Sequence, residues 1–455
     1  MGGVRENVWL FFIPKTIRAK LSGRINAVAI INNFGWLILD RGVRLGFGVL
    51  VGAWIARYLG PSEYGQLAYV IALVSFVQPV ANLGVDNIVV RDIAHNRGGA
   101  SSILGTVFFL RGFSGFFCWL LIVIFSIAAY GISSINSMLV VFIGASLLIQ
   151  ASDVVDLWFQ SQSQSRRTVI AKLVSYLISM GIKVLLIVYQ MPLIYFAVVL
   201  MVEAVISAAA LAIAYSKYKA QGAWSWSVEV AQRILLESWP LILSCISIAI
   251  YLKIDQVVIR NTLGSESVGI YAAAVTLGML GTFVPTLLNA SIAPFLARTK
   301  MRSEVDYERA LHNIFKYYAL FGWLISFVFA LLVPFAIKLL FGSAYEGGAV
   351  SASIYAFVNL FVWMDAAQAL WILNERKTKL SLIKASSGAI VCTILSLLLV
   401  PIYGLEGGAF AALFSQMVNS ILINVLIARK ILDLQLKSVF LLDFITSIVG
   451  ALRRS

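Results

Sequence analysis

The stretch ARYLGPSEYGQLAY, residues 56–69, ends one long apolar run at Leu59 and starts a second at Gly65, with a Gly-Pro corner between them. The stretch IRNTLGSESVGIYAAA, residues 259–274, contains the same corner: in both places Leu-Gly is followed by another glycine, five residues after the first. The two corners are 204 residues apart. Glycine suits a tight reversal because it adopts a positive φ and lets another backbone approach closely. A corner that occurs twice in this form predicts an internal repeat.

The composition of the chain excludes a soluble protein. Of its 455 residues 60% are hydrophobic and only 12% are charged, whereas soluble domains contain about 25% charged residues. A membrane-spanning helix needs roughly 20 apolar residues, so this length accommodates about a dozen spans and no sizeable soluble domain. Cys118, Cys245 and Cys392 lie far apart in apolar runs, which predicts core residues rather than a disulfide or a metal site. No nucleotide-binding or metal-binding motif is present, so we expect no cofactor and no metal.

The apolar runs predict twelve spans in two sets of six. We expect an N-terminal bundle over residues 31–215, a cytoplasmic linker over 216–235 and a C-terminal bundle over 236–428. The N-terminal tail, 1–30, contains a short apolar stretch that fits an interfacial helix, and residues 429–455 form a C-terminal tail. The spans are expected near residues 31–56, 66–90, 103–130, 138–160, 168–190, 192–215, 236–260, 267–296, 312–337, 348–374, 380–401 and 405–428.

Basic residues alternate strictly from one connection to the next. Of the 35 Lys and Arg residues, 24 lie in the two tails and the even-numbered connections, and 3 lie in the odd-numbered ones. Because an excess of Lys and Arg marks cytoplasmic loops, both termini are expected in the cytoplasm, and the corner at residues 60–65 outside. The net charge of +14 follows this membrane pattern, which argues against nucleic-acid binding. The short outer connections also argue against an enzyme, since they leave no external loop for a catalytic pocket.

Three stretches resemble one family of transporters: RYLGPSEYGQLAY (57–69), LGVDNIVVRDIA (83–94) and YLKIDQVVIRNTLGSESVGIYAAA (251–274). They are similar to the polysaccharide-transport branch of the flippase superfamily, in particular to Wzx-type flippases of O-antigen repeat units; the superfamily also contains multidrug and toxin extrusion transporters. The resemblance covers nearly the whole chain in length and span order. It implies an all-α integral membrane protein of the bacterial inner membrane, with two six-helix bundles around a central cavity.

The same resemblance implies the substrate and the partners. By alternating access such a protein would carry an undecaprenyl-diphosphate-linked oligosaccharide for lipopolysaccharide or a similar polysaccharide. A polysaccharide polymerase and a chain-length regulator are the protein partners it suggests, besides membrane lipid.

Basic residues within the spans are the candidates for substrate binding. A charge at mid-membrane costs at least about 2.5–3.5 kcal/mol on insertion scales, so such residues face a cavity or a partner. Guanidinium groups bind phosphate oxygens through two parallel hydrogen bonds. Lys316 and Lys384 lie near cytoplasmic ends and are expected to reach the interface. We expect a cationic cavity that binds diphosphate through Arg41, Arg44, Lys172, Lys183 and Lys253.

Acidic residues within or beside the spans suggest ion coupling. Because neither histidine falls within a span, Asp40, Asp255 and Asp365 are the candidates for a proton or sodium site. A second, gating or structural group comprises Asp86, Arg91, Asp153 and Asp156. Ion pairing offers an alternative for several of these residues: Asp40 with Arg44, four residues on along one helix, and Asp153 or Asp156 with Lys172.

Two other functions remain open. One is cation-coupled multidrug efflux on the same fold, and the other is a repeat-unit polymerase or ligase. Efflux of cationic drugs needs carboxylates in the cavity, whereas Arg and Lys outnumber Asp and Glu in the first, third and fifth spans. The excess of basic residues within these spans therefore favours an anionic substrate.

Overall fold

The computed structural model of the protein describes residues 25–95, 99–218, 222–377 and 379–440, without the side chains of 25–34, 37 and 38. All regular secondary structure in these ranges is helical. In chain order the α-helices are α1 Ile25–Asn82, α2 Asp86–His95, α3 Ala100–Tyr130, α4 Ile135–Ile149, α5 Val154–Ser161, α6 Ser165–Val188, α7 Leu193–Lys217 and α8 Val228–Leu263. They continue with α9 Ser265–Gly278, α10 Phe283–Arg302, α11 Glu304–Leu340, α12 Ala349–Ala356, α13 Val358–Asn374, α14 Lys379–Met417, α15 Asn424–Ile427 and α16 Arg429–Val439.

The helices confirm an all-α membrane fold with twelve spans. In the described residues, 10 helical stretches are long and apolar enough to cross a membrane. Two of these, Leu39–His95 and Lys379–Ile427, each contain a glycine with non-helical backbone angles, Gly60 and Gly404. Each glycine divides its stretch into two crossings, which gives the two sets of six. Many large apolar side chains are exposed, including Phe113 at 68%, as expected for helices that face lipid.

The turns of the odd-numbered connections show that the repeat extends through all twelve spans. Each of the six odd-numbered connections contains a residue with positive φ, and five of these residues are glycine. The first and fourth turns are 204 residues apart, the second and fifth 211, and the third and sixth 214. In chain order the residues are Gly60, Gly131, Gln190, Gly264, Gly342 and Gly404.

The two corners that share the pattern of Leu-Gly and a second glycine contact each other. A Cβ added at Gly65 would lie 1.8 Å from the carbonyl oxygen of Ser265, and one added at Gly269 would lie 1.9 Å from that of Pro61. The 204-residue offset relates one contact to the other, since Gly269 corresponds to Gly65 and Ser265 to Pro61, and no side chain fits at either glycine. The glycines allow two helices to approach backbone to backbone, as small residues do in membrane helix pairs.

The chain divides into two compact units. Unit 1 contains the described residues 25–52 and 77–239, and unit 2 contains residues 53–76 and 240–440. The corner between the first two spans, residues 60–65, therefore belongs to unit 2. There it contacts the corner at residues 264–269 from the second half of the chain.

Unit 1 includes the segment that follows span 6. The backbone N–H of Ser227 donates to Thr106 Oγ1 on α3 at 3.0 Å, and Gly105 leaves room for the backbone of Ser225. The Trp224 ring lies 5.3 Å from that of Phe108 on α3. The described part of the connection is thus packed against a helix rather than extended.

Unit 2 includes the last helix, α16, which lies along α11. Ile431 is buried in a cluster with Leu311 and Phe315. The indole N–H of Trp323 on α11 donates to the Val439 carbonyl oxygen at 2.8 Å. The expected interfacial helix at the N-terminus and the end of the C-terminal tail lie outside the described residues.

Candidate functional site

The first span presents a charged cluster in unit 1. Arg44 Nε donates to Asp40 Oδ1 at 2.9 Å, one turn away on α1. The Arg44 guanidinium also lies over the Tyr176 ring of α6, 4.8 Å from its centre, and the Tyr176 hydroxyl donates to the Arg44 carbonyl oxygen at 3.0 Å. A cation over an aromatic face is attracted by the ring electrons. Arg44 is therefore held by a carboxylate and an aromatic ring, and its side chain is still 33% exposed.

Arg41 differs from Arg44 although the two are three residues apart on one helix. Its side chain is exposed, and it has no hydrogen bond or ion pair to any described residue. Arg41 therefore offers a complete guanidinium group to a ligand.

Spans 5 and 6 add a buried ion pair to this cluster. Lys183 on α6 is 6% exposed, and its Nζ lies 3.3 Å from Glu203 Oε2 on α7. The Ser179 hydroxyl donates to the same oxygen at 2.6 Å. Tyr176, one turn before Ser179, is close enough to interact with the charges of Glu203, Arg44 and Asp40. We call this set the unit 1 patch; its members are Asp40, Arg41, Arg44, Tyr176, Ser179, Lys183 and Glu203.

Lys172 lies in a second cluster, which we call the unit 1 triad. Its Nζ is 2.8 Å from both Asp153 Oδ1 and Asp156 Oδ2. The two carboxylates lie at the end of a 3₁₀ segment, Gln150–Asp153, and on α5, whereas the lysine lies on α6. The ion pairing that the sequence left open for Lys172 is thus present, with both carboxylates.

An equivalent unit 2 triad consists of Asp365, Gln368 and Lys384. Lys384 Nζ is 2.5 Å from Asp365 Oδ1 and 2.7 Å from Gln368 Oε1. The lysine is 4% exposed, so the expectation that it reaches the cytoplasmic interface is wrong, because the carboxylate of Asp365 and the buried amide of Gln368 hold it inside. Each member follows its counterpart in the unit 1 triad by 212 residues without a gap. The sequence contains a signal for these triads that was not used in the prediction. It is Asp-x-x-Asp in one half and Asp-x-x-Gln in the other, each followed by Lys sixteen residues after the last residue of the pattern.

Polar side chains surround the unit 2 triad. Gln368 Nε2 donates to Asn424 Oδ1 at 2.7 Å, and Asn424 Nδ2 donates to Gln435 Oε1 of α16 at 2.7 Å. On its other side, Asp365 lines a cavity of about 210 Å³ together with hydroxyl groups. The residues that contribute these hydroxyls are Tyr251, Thr282, Thr286 and Tyr355.

Asp255 and Lys253 on α8 do not pair with each other. Asp255 is 1% exposed, and its Oδ2 accepts a hydrogen bond from the Tyr271 hydroxyl at 2.6 Å. Its Oδ1 accepts the backbone N–H of Gln256 at 2.8 Å. No described basic group lies within 4.0 Å of either Asp255 oxygen, and Lys253 likewise has no ion pair among the described residues. Asp255 is therefore a buried carboxyl group held by hydrogen bonds alone.

The gating candidate Arg91 forms ion pairs within unit 1. Arg91 binds Glu237 of α8 through both terminal nitrogens, at 2.6 and 2.9 Å. Asp92 accepts from Arg91 at 2.9 Å and lies 3.1 Å from Arg233. These bonds hold the N-terminal end of α8 within unit 1.

Asp86 and Arg111 form a further pair in unit 1. The guanidinium of Arg111, only 2% exposed, donates to the Asp86 carboxylate. In the described part of the chain, no group of three or more His, Cys, Asp or Glu residues is arranged to hold a metal ion.

Comparison with protein families identifies residues 30–300, more than half of the chain, as matching the family described as polysaccharide biosynthesis protein. A comparison with curated protein sequences gives no significant match.

Several solved structures share the fold. The inward-facing conformation of a multidrug resistance MATE family transporter of the MOP superfamily aligns with a TM-score of 0.69 and 15% identity, over 87% of this chain and 96% of that one. The outward-facing conformation of such a transporter aligns with a TM-score of 0.62 and 17% identity, over 90% and 96%. The third is a MOP superfamily transporter from Pyrococcus furiosus Vc1, whose binding pocket is described as having reverse polarity, which suggests a different function. It aligns with a TM-score of 0.64 and 15% identity, over 90% of this chain and 96% of that one. At these identities the comparison establishes the fold alone.

Proposed function

Because the chain belongs to the polysaccharide biosynthesis protein family, we propose that it is a flippase for undecaprenyl-diphosphate-linked oligosaccharides, such as O-antigen repeat units. It would act by alternating access in the bacterial inner membrane, with both termini in the cytoplasm. The product would pass to a polysaccharide polymerase and its chain-length regulator. A transporter, and not an enzyme, is the activity that the twelve-span fold supports.

Arg41 is the observation that carries this proposal. The substrate's head group bears two phosphate charges, which hydrocarbon does not solvate. A fixed cation at low dielectric offsets part of that desolvation, and Arg41 has an exposed guanidinium with no partner among the described residues. Arg44 lies one turn away and adds a second positive charge.

The other proposed phosphate ligands contribute less. Lys172 and Lys183 each have a carboxylate partner within unit 1, so their charge is already compensated. Lys253 has no ion pair among the described residues, and we retain it as a ligand to the diphosphate. Arg41 is thus expected to contribute most to phosphate binding, Arg44 and Lys253 less, and the paired Lys172 and Lys183 least.

Ion coupling is proposed at the aspartates of the spans. Asp40 and Asp365 each have a basic partner, whereas Asp255 has hydrogen bonds alone. A buried carboxyl without a cation gains most from binding a proton or sodium. Asp255 is therefore the first candidate for an ion that drives transport, with Asp40 and Asp365 behind it.

Transport by purified protein in liposomes tests the proposal. We expect Arg41→Ala to reduce the movement of a fluorescent prenyl-diphosphate-linked saccharide at least about tenfold, because a charge-assisted bidentate contact is lost. Arg41→Lys should recover only part of the rate, since the planar fork is absent. Arg309→Ala is the matched control, because Arg309 is an exposed arginine at the start of α11. Unchanged transport in Arg41→Ala would refute the phosphate-binding role.

Topology is tested separately. A cysteine at Ser62, in the first outer corner, should react with a membrane-impermeant thiol reagent added outside intact cells. A cysteine at Ser303, in an even-numbered connection, should react only after the membrane is opened. The reverse pattern would invert the proposed orientation.

A further inference from the structure

We infer that Asp40 competes with the substrate's phosphate for Arg44, so that Asp40 limits how tightly the site binds the diphosphate. The inference rests on the proposed function and adds a residue that sets the affinity of its binding site. Without substrate, Asp40 binds Arg44; a diphosphate that binds Arg44 takes the place of this carboxylate.

The geometry of the pair leaves room for exchange. A guanidinium has five N–H donors, and Asp40 engages one of them, Nε–H, at 2.9 Å. The terminal nitrogens of Arg44 have no hydrogen bond to any described residue. The Tyr176 ring covers one face of the guanidinium and its hydroxyl holds the Arg44 backbone, so the arginine keeps its place when its carboxylate partner leaves. A phosphate can bind the terminal nitrogens through two bonds, which is a stronger contact than the single bond to Asp40.

The charges of the pair set the direction of the effect. Arg44 is held by Asp40 on its own helix and lies over the Tyr176 ring of α6. The negative charge of Asp40 compensates that of Arg44, so a neutral residue at position 40 leaves the arginine's charge available, which favours an anionic ligand.

Binding of farnesyl diphosphate to the purified full-length protein in lipid nanodiscs tests the inference. At pH 7.5 we expect Asp40→Asn to bind about tenfold more tightly than the wild type, because one hydrogen bond to a charged group no longer competes with the phosphate. Asp40→Ser, a smaller neutral replacement, should give the same result if Asp40→Asn does not fold.

Two further variants identify the partner. In an Arg44→Ala background, Asp40→Asn should have no effect on affinity, since there is no arginine to release. Asp306→Asn removes a carboxylate from another Asp–Arg pair on a single helix, in the cytoplasmic end of α11, and should leave binding unchanged.

The outcomes separate the two proposals. If the wild type binds the probe and Arg41→Ala weakens binding, but Asp40→Asn binds no more tightly, the proposed function stands and the competition is refuted. Weaker binding by Asp40→Asn would likewise refute it, because Asp40 would then be positioning Arg44. If neither the wild type nor any variant binds the probe, both proposals are overturned.

Discussion

The unit 1 triad and the unit 2 triad occupy equivalent positions in the two halves of the chain but differ by one charge. In unit 1 a lysine binds two aspartates, and the three side chains are 18–38% exposed. In unit 2 the second aspartate is replaced by Gln368, which is fully buried, beside a lysine that is 4% exposed. Burying an ion is costly unless its charge is compensated. The lysine is present in both halves, and the half in which it is more buried has one negative charge fewer.

This comparison also shows what each triad can do. A net negative charge in contact with solvent costs little and can be rearranged. The unit 2 set is neutral, and its Gln368 and Lys384 are buried whereas Asp365 is 34% exposed. Hydrogen bonds to Asn424 and Gln435 join it with three spans and α16 in one network. The unit 2 triad is therefore expected to stabilise its unit more than the unit 1 triad does.

The largest expected effect comes from Lys384→Met. Removing one partner of a buried ion pair leaves a charge uncompensated and costs about 3 kcal/mol, at the low end of the usual range because Asp365 borders a cavity. Thermal unfolding in detergent should show a clear drop in midpoint, larger than that of Lys172→Met, whose aspartates are more exposed. The double variant Lys384→Met, Asp365→Leu should recover much of the loss. Equal drops for the two lysine variants would mean that burial does not distinguish the triads.

A smaller effect is expected from Gln368→Glu, which gives unit 2 the charge of unit 1. The change adds a buried negative charge and removes the donor to Asn424, and we expect a loss of about 2 kcal/mol, the size of an unsatisfied buried acceptor. Lowering the pH should restore part of the stability, since a protonated carboxyl can again donate. Melting curves at pH 5.5 and 7.5 would measure this. An unchanged midpoint at both values would contradict the role given to Gln368.

The smallest effect is expected from Asp156→Gln, the reverse exchange in unit 1. Lys172 retains Asp153, and partly exposed ion pairs contribute about 0–1 kcal/mol, so the melting temperature should change by only a degree or two in either direction. Asp156→Gln and Gln368→Glu are opposite substitutions at equivalent positions, and each serves as the other's control. A large loss in Asp156→Gln would show that the surplus charge of unit 1 is itself structural.

The span pattern was predictable because it depends on long runs of similar residues. Twenty apolar residues predict a crossing wherever they occur, and the glycine corner at residues 56–69 identified the repeat. The sequence alone did not single out Gly131, Gly342 or Gly404 as turn residues, since isolated glycines are common in membrane helices.

The pairing of side chains was less predictable because it depends on which helices are neighbours. Lys384 was expected at the interface, and only the packing of spans 10 and 11 gives it partners. For Lys172, pairing with Asp153 or Asp156 was an open alternative, and the packing of spans 4 and 5 brings it close to both. Tyr176 had no signal at all, because aromatic residues occur throughout membrane proteins. For Asp40 and Arg44 the spacing of four on one helix was sufficient.

The contact between Gly65 and Gly269 has a consequence for biosynthesis. The first hairpin to leave the ribosome has its partner 204 residues later in the chain. At about 5–20 residues per second, roughly 10–40 s pass between synthesis of the two corners. During that interval the first corner has its glycine face uncovered while the six crossings from span 2 to span 7 are being made. Completion of unit 2 is therefore a late event that closes over the earliest piece of the protein, and a chain released before residue 269 would lack the surface on which its first hairpin packs.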